Sequence, residues 1–178
     1  MARSYGLYTG NLRKVILHLK FYGREYLANH LGELLVWPLE ALTAPETALV
    51  APVPLHSSRN RQRGFNQAEL LARGLVRKVR REERGLQLAA NLLSRVRPTL
   101  PQVGLSPSAR RENVRGVFSV PEPGRVRNRT VLLVDDVMTT GATLSACAAA
   151  LKRAGAARVL ALSLARATPQ FPDMADSG

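Results

Sequence analysis

Residues 130–134 and 158–164, Thr-Val-Leu-Leu-Val and Arg-Val-Leu-Ala-Leu-Ser-Leu, constrain this chain more than any other feature. The first run is apolar on both faces, the mark of a central strand in a parallel sheet. Between the two lies a helix-forming stretch, 142–154, that stops at Gly155. Upstream, residues 48–54 form a short apolar run ended by prolines, which reads as another buried strand entering a stiff turn. Strands that alternate with helices in this way give an α/β fold: a single, mainly parallel sheet with helices packed on its faces.

The remaining elements follow from periodicity. Leu12, Val15, Ile16 and Leu19 predict an amphipathic helix interrupted at Gly23, and Leu27, Leu31, Leu34 and Leu35 a second one stopped by Pro38. A third helix starts near Phe65 and runs through Ala68, Leu71, Leu75 and Val79. Residues 88–96 and 117–120 are weaker strand candidates, and 121–130 is a loop. Ser106-Pro107 has the form of an N-cap followed by proline at the first helical position. These elements divide the chain into an N-terminal helical hood, 1–40, a core, 41–168, and a loose tail, 169–178.

Length and composition exclude several classes. A chain of 178 residues with 46% hydrophobic content suits one globular domain. No run approaches the ~20 apolar residues of a membrane span. The N-terminus has no apolar signal core, so the expectation is a cytoplasmic protein without membrane insertion. The single cysteine, Cys147, can form neither an internal disulfide nor a cysteine-based zinc site.

The formal net charge is +13, and residues 59–129 carry 17 Lys and Arg against 5 Asp and Glu. Arginine outnumbers lysine 22 to 4. Guanidinium groups grip phosphate oxygens in pairs, although a solvated basic face has the same composition. Against this background Asp135 and Asp136 stand out at the end of the central strand, followed by Thr139, Thr140, Gly141, Ala142 and Thr143. A Thr/Gly turn entering a helix offers backbone N–H groups, hydroxyls and the positive end of a helix dipole. The adjacent carboxylates would repel a phosphate and suit vicinal hydroxyls instead. Phosphate at one end and a diol nearby describe a ribose 5-phosphate unit; with pyrophosphate attached, Mg²⁺ offsets the charge. There is no GxxxxGK[ST] motif and no GxGxxG after a strand.

The string VLLVDDVMTTGATL resembles the 5-phosphoribosyl-1-pyrophosphate (PRPP) loop of type I phosphoribosyltransferases, and the chain is similar to the ComF family over roughly residues 15–166. The RGFNQAELLA string carries the ComF likeness, with HLKFYG and the Arg-rich segment 95–120 in support. The resemblance implies a type I phosphoribosyltransferase fold and a link to DNA uptake in natural competence. It implies that Asp135 and Asp136 hold the ribose hydroxyls, and meet the metal only through Mg²⁺ bound to PRPP. Thr139 to Thr143 would hold the 5-phosphate. Val53, Pro54 and Leu55 would form the pyrophosphate loop, with Arg59, Arg61 and Arg63 following it and 63–67 as a second contact surface. Residues 102–115 would be a mobile lid, with Arg110, Arg111 and Asn113 as its polar members.

The reaction implied is pentosyl transfer from PRPP to an acceptor that no residue announces; His56 reads as a surface residue. Many ComF members carry an N-terminal four-cysteine zinc module, which is absent here, a true absence or a misplaced start. The alternative is a non-catalytic competence accessory that binds single-stranded DNA through the basic 59–129 segment. Competence proteins are the further partners expected. Aromatics are only 5%, and Tyr22, Phe65 and Phe118 are the candidate stacking platforms.

Overall fold

Uninterrupted apolar runs in the central strands leave both faces of a sheet to be covered, and the chain covers them with helices. The computed structural model describes residues 1–22, 25–42, 47–55, 64–80, 85–99 and 106–168. In chain order the elements are β1 (Ala2–Leu7), α1 (Gly10–Tyr22), α2 (Glu25–Glu33), α3 (Val36–Glu40), β2 (Thr47–Pro52), α4 (Gln67–Arg80), β3 (Gly85–Leu88), β4 (Ser94–Arg95), α5 (Pro107–Asn113), β5 (Phe118–Ser119), β6 (Thr130–Met138), α6 (Ala142–Arg153) and β7 (Arg158–Arg166). Five strands form one sheet in the order β1-β7-β6-β2-β3, and every pairing is parallel. The α/β class and the parallel sheet are as expected.

Side chains of β6 alternate between two cores. Leu132 and Val134 pack with Ile16 and Leu19 of α1, Leu31 of α2, and Leu71 and Leu75 of α4. Val131 and Leu133 pack on the opposite face with Leu144, Cys147 and Leu151 of α6 and with Phe118. Helix α6 ends as the glycine suggested. Gly155 takes φ +95°, the Gly155 N–H donates to Lys152 O at 3.0 Å, and the Ala156 N–H donates to Leu151 O at 3.0 Å. This is the Schellman closure of a helix.

Four expectations change. The N-terminal 1–40 segment holds α1, α2 and α3, yet its first residues form β1, paired to β7 from Ala2↔Ala161 to Leu7↔Arg166. The inward positions of β1 are Ala2, Ser4 and Gly6, so no hydrophobic alternation marks it. Pro38 does not stop a helix; it lies in the first turn of α3, where its missing N–H costs nothing. The 88–96 stretch is not one strand: β3 ends at Leu88 and β4 is only Ser94–Arg95. The 117–120 strand shrinks to Phe118–Ser119, which pairs antiparallel to β4. The 169–178 tail lies outside the described residues.

Candidate functional site

Strand β2 accompanies β6 only as far as Pro52↔Val134, and Val53 N–H closes on Val134 O at 2.9 Å. Strand β6 then continues beside β7 to Met138↔Arg166. The central strand therefore does not end at Val134, and Asp135 and Asp136 lie inside it. Where β2 has turned away, backbone donors need other acceptors. Asp135 Oδ1 accepts the Asp136 N–H at 3.0 Å, and Asp136 Oδ1 accepts the Val137 N–H at 2.7 Å.

Successive residues of a strand point to opposite faces, so the acidic pair is divided by the sheet. Asp136 faces α1, where Lys20 Nζ lies 3.5 Å from its Oδ2, with the two side chains 8% and 15% exposed. Asp135 faces α6. Burial pushes the Cys147 thiol well above its ordinary range, the Asp135 carboxylate pushes it further, and the Arg95 guanidinium opposes them. Asp135 is half-buried and pairs with Ser163, whose Oγ lies 2.7 Å from Ser4 Oγ, giving a polar row across β6, β7 and β1.

The turn from β6 into α6 is built around a glycine at the start of the helix. Gly141 adopts φ +74° at the N-cap position of α6, and a Cβ placed there would meet nothing within 4 Å. Left-handed backbone favours glycine at this point, and the space above it is open. Thr140 Oγ1 accepts the Ala142 N–H at 3.4 Å, and Gly141 O accepts the Ser145 N–H at 2.8 Å. Thr140 is exposed, and Thr139 and Thr143 are half-buried.

Val53, Pro54 and Leu55 form the other rim of this end of the sheet. Asn66 ties it down: its Nδ2 donates to Val53 O at 3.1 Å, while its Oδ1 accepts the Ala68 N–H at 3.1 Å and so caps α4. The structural role of Asn66 within the RGFNQ stretch was not readable from spacing. Its neighbour Gln67 is 2% exposed, and its amide nitrogen has no hydrogen-bond partner among the described residues. Arg59, Arg61, Arg63 and His56 lie outside the described residues.

The lid candidate behaves as its cap predicts. Ser106 Oγ accepts the Ala109 N–H at 3.2 Å, and α5 carries the backbones of Arg110 and Arg111 and a half-buried Asn113. A cleft of about 310 Å³ separates this segment from α6, bounded by Glu112, Arg115, Phe118, Ser145 and Arg153. A second, of about 450 Å³, lies at the start of α4 between Asn29, Gly64, Phe65, Asn66 and Arg73. Neither is lined by Asp135 or Asp136. Of the candidate stacking residues, Phe118 is core and Phe65 is half-buried.

Lys20 is the site residue that sequence reading passed over. Its signal was present: it follows Ile16 and Leu19 on the inward stripe of α1, where a lysine needs a reason. Among the described residues no group of three or more His, Cys, Asp or Glu could hold a metal ion. Two carboxylates suit a Mg²⁺ that arrives with a ligand's phosphates, not a resident ion caged by protein. No helix among the described residues is long and apolar enough to cross a membrane.

Comparison with known proteins agrees with this architecture. The phosphoribosyl transferase domain matches residues 81–176. The chain is 34% identical over 169 residues to competence protein F of Haemophilus influenzae, covering 91% of this chain and 71% of that protein. It is 36% identical over 165 residues to the DNA utilization protein YhgH of Escherichia coli K12, covering 89% and 69%. The glutamine PRPP amidotransferase from B. subtilis, solved with ADP and GMP, superposes with a TM-score of 0.53 at 20% identity. That match covers 83% of this chain and 30% of the amidotransferase, and it speaks for the fold alone. With residues 81–176 inside the domain and a third of its positions shared with competence protein F, the chain belongs to the ComF family of phosphoribosyltransferase-fold proteins.

Proposed function

We propose that the chain binds PRPP with Mg²⁺ at the end of β6 and serves cytoplasmic phosphoribosyl chemistry linked to DNA uptake. The observation that carries this reading is the left-handed glycine turn at Gly141, with open space above it at the start of α6, five residues beyond two strand-borne carboxylates. The 5-phosphate sits on the turn 139–143, where backbone N–H groups and the helix dipole favour an anion. Over the edge of β6 that β2 leaves open beyond Val134, Asp135 and Asp136 reach the 2- and 3-hydroxyls from the two faces of the strand, and Val53–Leu55, with Arg61 and Arg63 following in sequence, faces the pyrophosphate.

Transfer at the anomeric carbon breaks the C1–O bond, and pyrophosphate leaves with the electron pair. The acceptor's lone pair forms the new bond to C1, and its proton passes to solvent. The transition state resembles an oxocarbenium ion, beside which the Asp135 and Asp136 carboxylates are favourably placed. A Mg²⁺ ion arriving with PRPP would supply charge neutralisation at the leaving group, with Asp135 and Asp136 as the carboxylates nearest to it. The segment 102–115, with Arg110, Arg111 and Asn113, closes over the sugar and excludes water.

Calorimetric titration of PRPP and Mg²⁺ tests the assignment. The native chain binds, and Asp135→Asn and Asp136→Asn each weaken binding about tenfold or more, the scale of a hydrogen bond to a charged group. No binding by the native chain, or equal binding by all three, ends the reading.

A second reading, contact with the phosphates of single-stranded DNA, is favoured by one basic region. Arg125, Arg127, Arg129 and Arg158 are exposed at the opposite end of β6 and β7. The loop that carries them is pinned by Asn128 N–H to Gly155 O and Ala157 N–H to Arg129 O, both 2.9 Å. Affinity for an oligonucleotide is measured against salt. Arg127→Ala should reduce the magnitude of the slope by about 0.7, the value for one phosphate contact on a single strand. An unchanged slope removes this reading.

A further inference from the structure

One half of the divided acidic pair has a partner that the proposed chemistry does not use. Ile16, Leu19 and Lys20 share the inward stripe of α1; the first two are fully buried, and the lysine side chain is 8% exposed. A lysine beside a core ordinarily runs its stem along apolar surface and keeps its ammonium in water. Here the ammonium turns inward, to the end of the sheet, and stops 3.5 Å from Asp136 Oδ2. A buried ion pair of this kind is often no more stable than well-packed apolar residues of similar volume, so stability gives little reason for a lysine at this position. Its effect on Asp136 is specific. Oδ1 is held by the Val137 N–H at 2.7 Å and Oδ2 faces Lys20, so both oxygens of the carboxylate are fixed. Asp135 lies on the other face, in register with Ser163 and close enough to Cys147 to raise its thiol.

We propose that Lys20 is a positioning residue: it sets the plane of the Asp136 carboxylate so that a sugar diol meets a preset acceptor, which makes ribose recognition depend on α1. This rests on the assignment of the β6 end to a ribose 5-phosphate unit. Hydrogen bonds to a charged acceptor are short and directional, and they weaken steeply when misaligned. The phosphate turn, carried by α6 on the opposite side, does not depend on Lys20. Removing the lysine should therefore remove the preference for the diol and leave the grip on phosphate.

Calorimetric titration with ribose 5-phosphate and with 2-deoxyribose 5-phosphate separates the two. The native chain prefers the ribose compound about tenfold. In Lys20→Met that preference falls to under about threefold, while affinity for the deoxy compound changes by less than about twofold; Lys20→Arg keeps most of the preference. A folded Lys20→Met with native preference overturns the proposal, because a merely structural lysine leaves the ratio of the two sugars unmoved. Should Lys20→Met not fold, Lys20→Gln, which keeps a polar end at this position but carries no ammonium to Asp136, decides by the same ratio: low preference supports the role, native preference overturns it. If the native chain binds neither sugar phosphate, the ribose assignment itself fails, and the proposal falls with it.

Discussion

The two faces of the sheet are closed in different ways. On one, α1, α2 and α4 are helices of 13, 9 and 14 residues around a continuous apolar cluster. On the other, α6 is the long helix, and cover is completed by β4 and β5, two residues each, and by the seven-residue α5. The proposed ligand site draws on both. Asp136 belongs to the thick face through Lys20, while Asp135, the phosphate turn and the lid belong to the thin one. The difference teaches that stability and ligand binding need not respond together: changes deep in the thick face should unfold the chain, and changes on the thin face should alter binding first.

The largest expected effect lies in the thick face. Helices α2 and α4 cross at Gly32 and Gly74. A Cβ on Gly32 would lie 2.5 Å from Leu71 O and 2.8 Å from Gly74 Cα, both backbone atoms with no flexible side chain to yield. Gly32→Ala must separate the two helices, and overpacking of this kind costs about 3 kcal/mol. Chemical denaturation should show the loss, while the folded fraction keeps native affinity for ribose 5-phosphate. Native stability in Gly32→Ala would mean that the helices can part freely, and the contrast between the faces would fail.

The same contrast explains what the sequence disclosed. Strands β6 and β7 were legible because residues such as Val131 to Val134 are buried on both sides, which leaves an uninterrupted apolar run. Strand β1 was hidden because its inward residues are small and its Tyr5 and Leu7 point outward, at 37% and 50% exposure. Strands β4 and β5 are too short to show a period. Pro38 misled because proline breaks a helix interior but not a first turn. The Asp-Asp-Val-Met-Thr-Thr-Gly block marks the proposed site, but the apolar run alone ends the strand at Val134. Extending it by four residues applies the two-residue period and sends the two carboxylates to opposite faces. Once they are parted, a lysine on the inward stripe of α1 has a place to go.

The second effect is intermediate and falls on the thin face. Gly141→Ala adds a methyl group that touches nothing, so its cost is the left-handed backbone alone, about 1–2 kcal/mol. The methyl group nevertheless points into the hollow proposed for the 5-phosphate. Affinity for ribose 5-phosphate should fall about tenfold or more, with a modest drop in thermal midpoint. A loss of stability with unchanged affinity would place the phosphate elsewhere.

The smallest effect tests whether the lid is a local unit. Ser106 Oγ caps α5 through the Ala109 N–H, and Pro107 occupies the first helical position. Ser106→Ala removes the acceptor and should cost about 1 kcal/mol. Helix α5 is short and packs chiefly on α6 and the cleft beside Arg115, far from the cluster formed by α1, α2 and α4. The loss should therefore appear as faster amide exchange within 107–113 and, on the proposed role of this segment as a lid over PRPP, as weaker binding of PRPP with little change for ribose 5-phosphate. A cap loss on one face and a packing change on the other share no partners, so Ser106→Ala and Gly32→Ala should add within about 0.5 kcal/mol when combined. Strong coupling between them would show that the two faces open as one, and that the lid borrows its order from the thick side of the sheet.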